Sequence, residues 1–325
     1  MTHRSGHCRR GTTTGIGVIV LAAVVACLGA AGCSGSARPA ADPHAGSGSP
    51  GGPRSPSAAA SPGAPADGIA STLIPTSGAY LGAFVQPTQY TPPAEIAAVD
   101  AFQHLVGPIS LVHTYHPWDS PFPNLADRNF VRRGKVLLLT WSGTPDTRKI
   151  IAGDYDATIT ARAEAVKRLG RPILMEFRHE MDRPNLQWAV HGPKDFIAAW
   201  DHIRAIFAKV GALNVGWIWC PTGYGFQRGR AQPFYPGNNE VDWVCADIYA
   251  PSTGQSLQQA AQPFLRWAKA TGKPVMIGEF GVNNDPAGLA EWLLAAGELA
   301  GLDKQIKAMA YFDANGIDSN GHPFQ

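Results

Sequence analysis

Two glutamates stand out by their settings. In "RPILMEFRHEMD", Arg171–Asp182, a short apolar run ends in a charged cluster that contains His179 and Glu180. In "KPVMIGEFGV", Lys273–Val282, a second apolar run delivers a single carboxylate, Glu279, with Gly278 and Gly281 beside it. A glycine inside a strand lets backbone or ligand approach closely. One Glu at a strand end is most often an ion-pair partner. Two that share one mouth suit the cleavage of a glycosidic bond. One protonates the leaving oxygen, and the other stands on the opposite side of the anomeric carbon. The two roles need different environments: the acid needs a raised pKa, and the nucleophile must stay ionised. Tyr249 and Arg178 are candidate donors for keeping Glu279 charged.

Residues so far apart in the chain meet only if a fold brings their strands to a common rim. Short apolar runs recur at 80–84, 109–113, 136–141, 173–177, 215–219, 243–249, 275–279 and 308–312. Helical stretches alternate with them, most clearly over 156–169, 194–210, 257–270 and 287–300. Pro193 stands where a helix prefers to begin and Gly211 where one prefers to end. Eight strands alternating with helices predict an α/β fold with parallel strands. The stretch of about 250 residues suits a (β/α)8 TIM barrel, whose active sites sit at the C-terminal ends of the strands. Two stretches depart from the repeat. The segment 221–241 has no clear helix, and "DANGIDSNGHPFQ" reads as a loop, so the expected barrel lacks its eighth helix or is truncated there.

The 325 residues carry a net charge of +2, which gives no electrostatic footprint for nucleic acid. Three regions are expected. Residues 1–33 have a basic start and an apolar run, the pattern of an export signal. They end in "LGAAGC", which resembles a bacterial lipobox with Cys33 as the lipidated residue, although Ala30 stands where Leu is preferred. Residues 34–71 are rich in Pro, Ala, Ser and Gly, a composition that cannot bury enough surface to order itself, and read as a tether. Residues 72–325 form the catalytic domain. The expected location is therefore outside the cytoplasm, lipid-anchored to the cell membrane or secreted. Of five cysteines, Cys220 and Cys245 fall in the folded domain; outside the cytoplasm they can pair, and buried free thiols are the alternative.

With these segments in view, the chain resembles glycoside hydrolase family 26, the β-mannanase and β-1,3-1,4-glucanase group of retaining (β/α)8 glycosidases. The resemblance runs from about Tyr80 to Asp313. It is carried by "FVRRGKVLLLTWSG", "IIAGDYDATITARAEAVKRLGRPILMEFRHEMD", "FIAAWDHIRAIFAKVGALNVGWIWCP" and "KPVMIGEFGV". It implies that Glu180, after His179, is the acid/base, that Glu279 is the nucleophile and that Tyr249 in "DWVCADIY" bonds it. It also implies a β-linked glycan substrate, no cofactor and no metal. The chain departs from the family pattern in three places. Glu176 stands where an Arg is usual. The loop after Met181 reads Asp182, Arg183, Pro184 and reaches Trp188 late. The eighth strand ends Tyr311-Phe312 where many members carry Trp.

The first expectation is a monomeric, retaining endo-β-glycanase acting on β-1,4-mannan; β-1,3-1,4-glucan and β-1,3-xylan are the alternative substrates. Trp141, Trp188 and Trp219 are candidate sugar platforms, with His179 and Arg178 as further substrate contacts. A second class is a catalytically weak glycan-binding lipoprotein of the same fold, motivated by Glu176 and the altered loop. A third is a metal-dependent barrel hydrolase using His113 and His116, although "HTYH" is not a recognised ligand spacing.

Overall fold

The computed structural model describes residues 73–282 and 287–314, together with the backbone of 316–317 and 323–324. The expected signal, Cys33 and the tether lie outside the described residues.

Eight parallel strands close into a barrel in sequence order. They are β1 (Tyr80–Val85), β2 (Leu111–Pro117), β3 (Val136–Ser142), β4 (Ile173–Phe177), β5 (Val215–Trp219), β6 (Trp243–Ala250), β7 (Val275–Val282) and β8 (Ile306–Asp313). β8 pairs with β1 from Tyr80↔Ala308 to Val85↔Asp313, which closes the ring. The helices are α1 (Pro92–Val106), α2 (Leu125–Arg132), α3 (Thr147–Ala152), α4 (Asp156–Leu169), α5 (Gln187–Val190), α6 (Pro193–Val210), α7 (Gly223–Gln227), α8 (Leu257–Lys269) and α9 (Leu289–Leu302). The chain is a (β/α)8 TIM barrel, as the alternation predicted.

The helices begin and end where the chain carries the right chemistry. α6 has Pro193 in its first turn, and Gly211 stops it in the left-handed conformation, φ 78°, with its N–H returned to the carbonyls of Phe207 and Ala208. Gly170 ends α4 in the same manner. α8 opens on a capping box, in which the Ser256 hydroxyl accepts from the Gln259 N–H and the Gln259 side chain accepts from the Ser256 N–H. The segment expected to lack a helix contains one short one, α7, capped by the Thr222 hydroxyl. Beyond β8 no helix occurs among the described residues; two-residue strands at Gly316–Ile317 and Pro323–Phe324 pair antiparallel within the stretch read as a loop.

Strand alternation sorts the side chains into two layers. Inside the ring lie Leu111, Leu138, Leu174, Ile218, Trp243, Met276, Ala308 and Ala310, closed over by Cys220 and Cys245. Outside it, Leu139, Trp141, Met175, Phe177, Trp217 and Trp219 pack against the helices in the larger core. The same parity that sends Trp141 outward sends Thr140 inward, opposite Glu176 on β4.

Candidate active site

Glu279 owes its place to an irregularity in β7. Met276 faces the barrel interior, so strict alternation would point Gly278 inward and Glu279 toward the helices. The pairing slips instead. On one side Ala246↔Ile277 is followed by Asp247↔Glu279. On the other, Ile277↔Met309 is followed by Phe280↔Tyr311. The extra residue turns Glu279 into the mouth, the re-aiming that bulges commonly perform beside active sites. Gly278 makes this possible. A Cβ there would lie 2.6 Å from Cys245 Sγ, 2.8 Å from Asp247 Oδ1 and 2.9 Å from Cys220 Sγ. The close approach expected at this glycine is thus made by the Cys220–Cys245 disulfide and Asp247. That disulfide settles the alternative left open for the two cysteines.

Two tyrosine hydroxyls hold the Glu279 carboxylate. Tyr249 donates to Oε2 at 2.6 Å, the contact expected from the sequence. Tyr115, from β2, donates to Oε1. Tyr115 was not anticipated, yet the pattern contained it: it lies two residues beyond His113, on the same face of the strand. Burial raises the Glu279 pKa to about 7, and the nearby Glu180 carboxylate adds to the rise, while the two tyrosines and Arg183 oppose it.

Glu180 sits just past the end of β4, with its N–H donated to the carbonyl of Cys220 at 2.8 Å. Arg178 and Glu180 have φ of 51° and 54°, a left-handed conformation costly for residues with a side chain and found disproportionately at functional sites. Arg183 Nη1 donates to Glu180 Oε2 at 2.6 Å, with both side chains partly exposed. This partner was not anticipated. The segment is pinned from behind by Asp182, which accepts from the Thr222 N–H at 2.8 Å and hydroxyl at 2.6 Å.

The left-handed turn corrects one expectation. The sequence offers Arg178 as a donor to Glu279 and as a substrate contact. Alternation stops where β4 ends at Phe177. Arg178 turns away, fully buried, and Nη1 donates to the carbonyls of Gly143 and Pro145 at 3.0 and 3.2 Å. Glu176 does face inward, against the hydroxyl of Thr140. Burial pushes its pKa well above the usual carboxylate range. Asp247, on the same side of the barrel, is raised well above that range by burial and then by Glu279.

The aromatic candidates divide. Trp141 has no exposed surface and stacks on Trp118, with ring centroids 4.0 Å apart, and its Nε1 donates to the Trp118 carbonyl. Trp219 is equally enclosed, against Phe226, Tyr235 and Trp267. Both are on the outward parity and offer no face to a ligand. Trp188, in α5, is 67% exposed. His179 lies at the mouth with its ring 5.5 Å from that of Tyr115. Its Nδ1 is buried with no hydrogen-bond partner among the described residues, and burial lowers its pKa to about 4, so the ring is neutral near pH 7. Phe312 at the end of β8 stacks on Phe84, centroids 4.9 Å apart. A small pocket open to solvent adjoins Tyr115 and is lined also by Phe84, Tyr90, Glu95 and His113.

The β2 histidines considered as metal ligands point to opposite sides of the sheet. His113 faces Thr140 and Glu176 inside; His116 pairs with Asp127 of α2 at 2.9 Å outside. Among the described residues, the one grouping of metal-ligating types is Glu176 with Cys220 and Cys245, whose sulfurs are bonded to each other.

No family model matches the chain. It is 31% identical over 239 residues to endoglucanase H of Acetivibrio thermocellus, which covers 68% of this chain and 26% of that protein. It is 26% identical over 152 residues to the β-1,3-xylanase TXYA of a Vibrio species, which covers 44% of this chain and 31% of that one. The chain thus spans between a quarter and a third of the length of these curated relatives. Among solved structures, the family 26 β-mannanase of Bacteroides ovatus superposes with a TM-score of 0.59 at 14% identity, over 77% of this chain and 84% of that one. The catalytic domain of the family 26 endo-β-1,4-mannanase from Bacillus sp. JAMB-750 gives 0.58 at 15% identity, over 76% and 83%. The solved structures of glycoside hydrolase family 26 thus share this chain's fold, and its curated sequence relatives include an endoglucanase and a β-1,3-xylanase.

Proposed function

We propose that this chain is a family 26 glycoside hydrolase that cuts an internal bond of a β-linked polysaccharide with retention of configuration. The observation that carries the reading is Glu279, turned into the barrel mouth by the β7 bulge, held by two tyrosine hydroxyls and within electrostatic reach of Glu180. Glu180 protonates the leaving oxygen while Glu279 attacks the anomeric carbon and forms a covalent glycosyl ester. Water, deprotonated by Glu180, then releases the sugar. Retention requires the two carboxyls about 5–5.5 Å apart across one anomeric centre. The tyrosine hydroxyls stabilise the attacking carboxylate. As the ester forms, Glu279 Oε1 or Oε2 loses charge, and its hydrogen bond weakens accordingly. The neutral His179 can donate to or accept from a sugar hydroxyl, and Trp188 and Tyr90 offer exposed rings on which sugar faces could stack.

β-1,4-Mannan is the first substrate proposed, with mixed-linkage β-1,3-1,4-glucan and β-1,3-xylan next. Cys33 is proposed as a lipidated anchor that holds a monomeric catalytic domain at the outer face of the cell membrane. Reducing-end release from the three glycans, paired with a binding measurement, tests the activity. The expected result is sugar release from one of them, reduced by about three orders of magnitude or more in Glu180→Ala and Glu279→Ala. Near-normal turnover in either folded variant would reject the assignment. Binding without release in the parent protein would favour a glycan-binding protein instead.

A further inference from the structure

Behind Tyr115 the polar contacts do not stop. The Tyr115 hydroxyl lies 3.4 Å from His113 Nδ1. His113 Nε2 lies 2.7 Å from Thr140 Oγ1, and Thr140 Oγ1 contacts Glu176 Oε2. All four side chains are inward-facing residues on the adjoining strands β2, β3 and β4, and none but Tyr115 touches Glu279. The family resemblance and the catalytic pair account for none of Glu176, Thr140 and His113.

The hydrogens of this chain can be assigned by elimination. His113 is neutral near pH 7, since burial lowers its pKa to about 3. It therefore has one N–H and one bare nitrogen. The Tyr115 O–H is committed to Glu279. The N–H directed at the Tyr115 oxygen is then Nδ1–H, and bare Nε2 accepts the Thr140 O–H. Thr140 Oγ1, its one proton given to Nε2, is left to accept a hydrogen bond from the Glu176 carboxyl at Oε2. The contact therefore places the proton on Glu176, whose Oε1 is buried with no partner among the described residues and whose pKa burial pushes well above the usual carboxylate range. Every donor points toward the nucleophile.

We propose that Glu176, Thr140 and His113 are positioning residues for Glu279: a buried relay of hydrogen bonds that begins at the Glu176 carboxyl, passes through Thr140, His113 and Tyr115, and stabilises the ionised nucleophile. This deepens the glycosidase reading and rests on it for its role in catalysis, though the relay itself exists in the free protein. Glu176 is then a functional substitution for the Arg usual at its position, not a defect. Hydrogen bonds in such a chain polarise one another inside a low-dielectric barrel, so breaking a remote link is felt at the far end.

The test reads the ionisation of Glu279 directly. Carboxyl-carbon NMR of glutamate-labelled protein, with the Glu279 signal identified by its loss in Glu279→Gln, follows its titration without substrate. The groups facing Glu279 are Glu180 and Arg183 from the β4 end, Glu176 within β4, Tyr115 from β2, and Asp247 and Tyr249 from β6. On β8 the ring facing β7 is Tyr311, which meets Phe280. Thr140→Val keeps shape and charge but breaks the relay at its middle. Its Glu279 midpoint should rise by about half to one pH unit, the worth of one hydrogen bond, and Thr140→Ser should restore it. Glu176→Gln, which keeps a donor, should leave the midpoint in place, while the similarly sized Glu176→Met should raise it. Those two variants carry the test if Thr140→Val does not fold. A folded Thr140→Val or Glu176→Met protein with an unmoved Glu279 midpoint overturns the relay, whatever its melting temperature. Where the parent hydrolyses glycan, kcat should fall about tenfold in the same variants with KM within twofold. A parent that hydrolyses nothing while the midpoints move as stated would reject the glycosidase reading and leave the relay standing.

Discussion

At the residue scale, the proposed nucleophile is a carboxylate whose ionisation is set by what surrounds it. Burial and the Glu180 charge raise the Glu279 pKa, and the hydroxyls of Tyr115 and Tyr249 pull it back toward about 7. Below that pH Glu279 is protonated and cannot attack, so kcat/KM should climb as pH rises through about 7. Tyr249→Phe removes one of the two opposing hydrogen bonds, which raises the pKa further. Its acidic limb should therefore move to higher pH by about half to one unit, with kcat/KM at neutral pH down several-fold. A pH–rate profile that superposes on the parent's would contradict this role. Glu279 and Tyr249 were legible at the mouth because each closes an apolar run, Glu180 because it lies in the charged cluster just past one, and the Tyr249 contact with Glu279 because the family resemblance implied it. Tyr115 was missed although His113 announces its face. Arg183 was missed because its partner lies across a left-handed turn that no periodicity describes. The expectation for Arg178 failed for the same reason: the turn carries its side chain to the carbonyls of Gly143 and Pro145.

At the element scale, the barrel was legible from its eight apolar runs, and the strand ends fall within a few residues of where those runs placed them. Parity was the part used least. Trp141 and Trp219 close their strands as a sugar platform would, yet the residues before them, Thr140 and Ile218, are the inward ones. The β7 bulge was invisible, because an inserted residue leaves the hydrophobic pattern almost unchanged while it reverses which side chain enters the mouth. Gly278 marks it. Gly278→Ala would force a methyl group against the disulfide and Asp247, and overpacking of this kind costs about 1–3 kcal/mol. For a domain of this size, thermal unfolding should then come about 2–4 °C lower for each kcal/mol. Activity should fall beyond what stability explains, because Glu279 is displaced. An unchanged melting temperature with parent activity would show that the bulge relaxes freely.

At the scale of the whole molecule, one crosslink sits under the chemistry. Cys220 follows β5 and Cys245 lies in β6, 25 residues apart, and their sulfurs adjoin Glu176, Asp247 and Gly278. Closing a loop of that length stabilises a domain by about 3–4 kcal/mol on chain-entropy grounds. Cys220→Ser with Cys245→Ser should lower the unfolding midpoint by several degrees under oxidising conditions and erase the parent's sensitivity to reductant. A variant as stable as the parent would assign the bond no structural part. The proposed export signal makes such a bond chemically sensible, since disulfides persist outside the cytoplasm.

The central claim is that Glu180 and Glu279 flank one anomeric centre, with Glu279 making the covalent bond. Incubation with 2-deoxy-2-fluoro β-glycosides of manno, gluco and xylo configuration carrying a reactive leaving group, followed by peptide mass spectrometry, tests it most directly. The account predicts a single sugar adduct on the peptide that contains Glu279, absent in Glu279→Ala. An adduct on any other carboxylate, or normal turnover of the leaving group with no adduct and inverted product, would contradict it.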